Sequence, residues 1–71
     1  MGKVKYFMFD KVEDQEKMGN LLKVGFWADK AQWEVVRGWP PAYRVAMEDE
    51  AALRGLILYV RAVMPEVVIL D

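Results

Sequence analysis

The sequence predicts an α+β sandwich in which two helices cover one face of a four-stranded antiparallel sheet, in the chain order βαββαβ. Three observations lead there. Four segments rich in β-branched and aromatic residues are interleaved with two segments of helical period, residues 10–25 and 48–64. The prolines fall at 40, 41 and 65, between these segments. The chain has 71 residues, 55% of them hydrophobic, which is enough for one core and too little for two, so residues 1–71 read as a single domain.

The first strand is Val4-Lys5-Tyr6-Phe7-Met8-Phe9, in which Val4, Tyr6 and Met8 alternate with Lys5, Phe7 and Phe9. Apolar side chains on both faces toward its end mark a central strand. Asp10 is placed to cap the first helix, with Glu13 three residues on completing a capping-box pair. At 100° per residue Met18, Leu21, Leu22 and Gly25 share one helix face, and Gly25 reads as a left-handed stop, while Gly19 weakens the helix from within.

Residues 26–39 read in two ways. As a strand, Trp33-Glu34-Val35-Val36-Arg37 passes through Gly38-Trp39-Pro40-Pro41 into Ala42-Tyr43-Arg44-Val45-Ala46-Met47 and forms a hairpin. As a helix, Asp29 caps residues 30–37 and Gly38 stops them. The β-branched and aromatic residues at its end favour the hairpin. Tyr43, Val45 and Met47 then alternate with Arg44, Ala46 and Glu48, an amphipathic strand. Glu48, Asp49 and Glu50 put negative charge where the second helix starts, and its core side is Leu53, Leu56, Ile57, Val60, Val63 and Met64. Pro65 ends it, and residues 67–70 form the last strand. Two split βαβ units in this order make a ferredoxin-like sandwich. On this reading the first and third strands are central and parallel to each other, with the second and fourth at the edges.

The composition excludes a good deal. There is no cysteine and no histidine, so disulfides, thiolate or imidazole metal sites, and Ser-His-Asp or Cys-His machinery are out of reach. With a net charge of -1 and a pI near 5.4, no global field draws in nucleic-acid phosphates. No apolar run has the length of a membrane span, no signal-peptide order is present, and neither a phosphate loop nor a dinucleotide fingerprint calls for a cofactor. By elimination the chain reads as cytoplasmic, without membrane or cofactor. Trp27, Trp33 and Trp39, at a spacing that is neither helical nor a repeat, read as core or interface mass.

Three groups of residues are candidates for a site. The last strand, Val67-Val68-Ile69-Leu70, has no inside/outside alternation and is blunted only by Glu66 and Asp71. The back of the second helix, where a charged surface is the rule, carries Ala51, Gly55, Leu58 and Ala62. Together these predict an oligomer interface on Ala51, Gly55, Leu58, Ala62, Val68 and Leu70. The second group is the uncovered sheet face: if Tyr6, Met8, Tyr43, Val45 and Met47 point to the helices, then Lys5, Phe7, Phe9 and Arg44 lie opposite and could stack single-stranded nucleic acid. The third is acidic: parallel first and third strands would bring Asp10 beside Glu48 and Asp49, oxygen ligands for magnesium or manganese.

The run Tyr6-Phe7-Met8-Phe9-Asp10, followed by Leu21-Leu22-Lys23-Val24-Gly25-Phe26, resembles the start of the small CRISPR-associated Cas2 nucleases. The resemblance covers residues 1–26. It implies a ferredoxin-like dimer and a metal-binding aspartate at Asp10, and it carries over no other residue. The functional expectation is a small homo-oligomeric binding, regulatory or assembly module without catalysis, its partner a second copy of itself or another protein. The alternatives are a metal-dependent nuclease using Asp10 and a single-strand-binding module using the open sheet face.

Overall fold

Six elements follow one another in a computed structural model that describes residues 3–38 and 40–71: β1 (Lys3–Met8), α1 (Val12–Val24), β2 (Gln32–Val36), β3 (Ala42–Met47), α2 (Glu50–Val63) and β4 (Val68–Leu70). The strands form one sheet in the order β2-β3-β1-β4, and every neighbouring pair is antiparallel. This is the ferredoxin-like arrangement. The segment with two readings is a strand, and β2 and β3 form the hairpin; Trp39, in its turn, lies outside the described residues. The central strands β1 and β3 run antiparallel, with Lys3 opposite Met47 and Met8 opposite Ala42, which corrects the parallel relation expected from the sequence.

The core lies between the sheet and the two helices. Phe7 and Phe9 are completely or almost completely buried there, at 0% and 2% exposure, with Val45 and Met47 from β3, Met18 and Leu22 from α1, and Leu56 and Val60 from α2. The first strand thus turns the other way from the expectation: Phe7 is level with Tyr43, so Phe7, Tyr43 and Val45 face the helices while Tyr6 and Met8 face away. Moving the pairing by one residue exchanges every side chain between the faces. Phe7 and Phe9 carry no polar atom and bury at no desolvation cost, whereas Tyr6 keeps its hydroxyl wet. Val63, expected in the core, is 44% exposed, because it faces α1 across the outer rim of the helix layer.

Two local expectations are also corrected. The N-cap of α1 is Lys11, in extended conformation and without a side-chain cap, rather than Asp10. The Lys11 ammonium instead reaches the Glu66 carboxylate at 2.8 Å, tying the start of α1 to the turn after α2, and that partner holds its pKa above the ordinary 10.5. At the other end of α1, Gly25 has φ -83°, so no left-handed conformation demands glycine there. Space does: a Cβ on Gly25 would stand 2.5 Å from the Leu21 carbonyl oxygen. Gly25→Ala is therefore expected to destabilise the fold by about 1–3 kcal/mol, measured by urea denaturation.

Tyr43 ties the sheet to α1. Its hydroxyl donates to the Gln15 carbonyl oxygen at 2.7 Å, and its ring approaches so closely that a Cβ on Gly19 would meet the hydroxyl at 3.4 Å. At that distance an alanine Cβ would be in ordinary contact, so space does not require the helix-weakening Gly19. Burial, and secondarily the Glu16 carboxylate, hold the phenol above its ordinary value of 10.0. The neutral phenol is favoured in the folded protein, so its contribution is complete below pH 10.0 and is lost as pH rises through the folded value. Tyr43→Phe is expected to cost about 1 kcal/mol at neutral pH and to flatten the alkaline fall of the melting temperature.

Candidate interaction surface

Both helices pack on the Phe7 and Val45 side of the sheet, and among the described residues no further helix or strand covers the other side. Register places its residues in three rows across the strands. The middle row is Glu34, Arg44, Tyr6 and Leu70; beside it run Val36, Ala42, Met8 and Val68, then Gln32, Ala46 and Val4. Val68 and Leu70 are each about half exposed, at 51% and 52%, on an edge strand of three residues. Most of the face is therefore apolar. Among the described strand residues Glu34 and Arg44 are its only charged ones, and they stand 3.9 Å apart.

The structure separates residues that the sequence grouped together. Val68 and Leu70 lie on this open face, whereas Ala51, Gly55, Leu58 and Ala62 lie on the outer side of α2, across the thickness of the molecule. Leu58 is 62% exposed, and no described atom lies within 4 Å of where a Gly55 Cβ would stand, so that stripe is also uncovered. It continues toward α1 into a groove of about 260 Å³ lined by Leu21, Val24, Tyr59 and Val63, with Lys17 and Asn20 at its rim. The described residues present two apolar surfaces, one on each side.

Of the residues expected to stack bases, only Arg44 is on the open face. Phe7 and Phe9 are interior, and Lys5 points to the helix side, where its ammonium pairs with the Asp71 carboxylate. That pairing, through its hydrogen bond first and its charge second, holds the Asp71 carboxyl below its ordinary 3.8. Among the described strand residues the aromatic side chain on this face is Tyr6, flanked by Arg44 and Leu70.

The acidic candidates are not brought together. Because β1 and β3 are antiparallel, Asp10 follows the end of β1 at which β3 begins, and Glu48 and Asp49 lie at the opposite end. Roughly 20 Å of strand separates them, at about 3.3 Å per residue. Among the described residues no three acidic, histidine or cysteine side chains are grouped to hold a metal ion. Asp49 instead serves as the N-cap of α2, where its carboxylate accepts from the Ala51 and Ala52 amides at 2.9 and 3.3 Å, worth about 1 kcal/mol. A cleft of about 520 Å³ beside it is lined by both signs of charge, Lys30 as well as Glu48 and Asp49.

Trp27 belongs to the scaffold. Its indole nitrogen donates to the Ala52 carbonyl at 2.9 Å, and its ring packs on Tyr59 with centroids 5.6 Å apart, latching the loop after α1 onto α2. The residues missed by sequence reasoning are Val4, Tyr6, Met8 and Val36. Their signal was present as alternation along two strands, but which phase faced the helices depended on the pairing register. No helix among the described residues is long and apolar enough to cross a membrane. No family model, no curated protein and no solved structure matches this chain.

Proposed function

We propose that the protein is a small homo-oligomeric binding or assembly module, without catalysis of its own, whose working surface is the open face of the sheet. The observation that carries this reading is the uncovered apolar face spanning all four strands, with Tyr6 and Met8 at its centre and Val68 and Leu70 toward one edge. A sheet normally covers an apolar face with a second layer, and the described residues supply no further element for that purpose. A cytoplasmic setting goes with the reading, since a chain without cysteine needs no oxidising compartment to fold.

Sedimentation velocity of the wild-type chain from micromolar to hundreds of micromolar tests it. A concentration-dependent shift from monomer to oligomer is the expected result, and a monomer throughout would sink it. Leu58→Glu, on the helix layer, is the control; loss of association in that variant would move the working surface to α2.

A further inference from the structure

We infer that the open sheet face is covered by a second copy of the same chain, packed sheet on sheet about a two-fold axis that runs along the strands between β1 and β3. The inference rests on the reading of that face as the association surface and specifies its geometry. Three properties of the face support it.

The first is size. On the open face β1 presents only larger side chains, Val4, Tyr6 and Met8, whereas β3 presents Ala42 and Ala46 on either side of Arg44. The axis lays β3 of one copy over β1 of the other, so Met8 meets Ala42, Val4 meets Ala46, and each match occurs twice because a two-fold interface is isologous. An axis lying across the strands would set alanine on alanine and leave voids that close packing does not tolerate.

The second is charge. Glu34 and Arg44 stand 3.9 Å apart, and the cleft at the Val4, Gln32 and Ala46 end of the face sets Lys30 against Glu48 and Asp49, so the face has no excess of positive charge to attract phosphate or a lipid headgroup. On this axis the Arg44 guanidinium lies over the Tyr6 ring of the second copy, a favourable cation–π arrangement, and Glu34 sits at the wet rim. The third is area. One broad side of a body measuring 29 × 22 × 19 Å is about a fifth of its surface, roughly 970 Å² of 4833 Å², which bounds the face from above, and a standard interface uses about 800 Å² per partner.

The absence of cysteine makes the test clean. Val36 on β2 and Val68 on β4 are at opposite edges of the sheet, three strand spacings or about 14 Å apart within a chain. The proposed axis brings Val36 of one copy over Val68 of the other. Facing sheets lie about 10 Å apart, too far for a disulfide but within reach of a short bismaleimide.

Val36→Cys and Val68→Cys are made as separate full-length variants, mixed, treated with the cross-linker and read on a denaturing gel. At least tenfold more covalent dimer is expected from the mixture than from either variant alone. Equal or greater yield from Val36→Cys alone would overturn the axis. So would no cross-link in the mixture while the wild type sediments as a dimer. A wild type that stays monomeric would instead overturn the underlying reading of the face.

Discussion

Phe7→Ala is expected to remove about 3–5 kcal/mol of stability, the usual cost of emptying a fully buried phenylalanine site. Phe7 has no exposed surface and shares one apolar core with Met18 and Leu22 of α1 and Leu56 and Val60 of α2. A chain of this length has only roughly 4–10 kcal/mol in total, so a large share of the molecules would be unfolded near physiological temperature. Thermal melting followed by circular dichroism should show a midpoint lowered on the order of 15 °C or more. If Phe7 were a base-stacking residue at the surface, the same substitution would leave the midpoint nearly unchanged. The measurement therefore separates the two assignments of this side chain.

Tyr6→Lys is expected to have the opposite profile, a retained fold and lost association. Tyr6 lies on the uncovered face between Arg44 and Leu70, so its removal opens no cavity, and the change in strand preference costs at most about 1 kcal/mol. Association loses an aromatic residue from the centre of the face, and the new ammonium stands beside Arg44, leaving one cation without a counter-charge in a surface that must be desolvated. A central aromatic is commonly worth about 2 kcal/mol or more, and the unpaired charge adds to that, so the dimer should weaken by about 100-fold or more. Sedimentation equilibrium reads the change directly. An unchanged dissociation constant would show that the sheet face is not where copies meet.

The element order was legible because its punctuation is chemical. Pro65 ends α2, Gly25 ends α1, and Pro40-Pro41 allow only a turn between β2 and β3. The choice between strand and helix for residues 32–36 was legible from Trp33, Val35 and Val36. What could not be read was the phase of β1. Tyr6, Phe7, Met8 and Phe9 are all apolar, so alternation exists without a polar face to orient it, and only the pairing of Phe7 with Tyr43 decides. The candidate metal site failed for a topological reason. Whether Asp10 neighbours Glu48 depends on the relative direction of β1 and β3, and the crossover through α1 followed by the β2–β3 hairpin makes that direction antiparallel. The exposed apolar residues were legible one element at a time, but not the fact that the stripe on α2 and the last strand look out on opposite sides.

The shortness of β4 has a dynamic consequence. Three residues pair it to β1, and beyond them the Asp71 carboxylate pairs with Lys5. A strand held this lightly opens and exchanges its amide hydrogens long before the central pair does. Yet the same strand closes the core with Ile69 and presents Val68 and Leu70 outward. Each opening of β4 therefore dismantles part of the proposed association surface as well as one margin of the core. By mass action, a bound second copy suppresses the opening, so the least protected amides of the sheet become the most sensitive gauge of assembly.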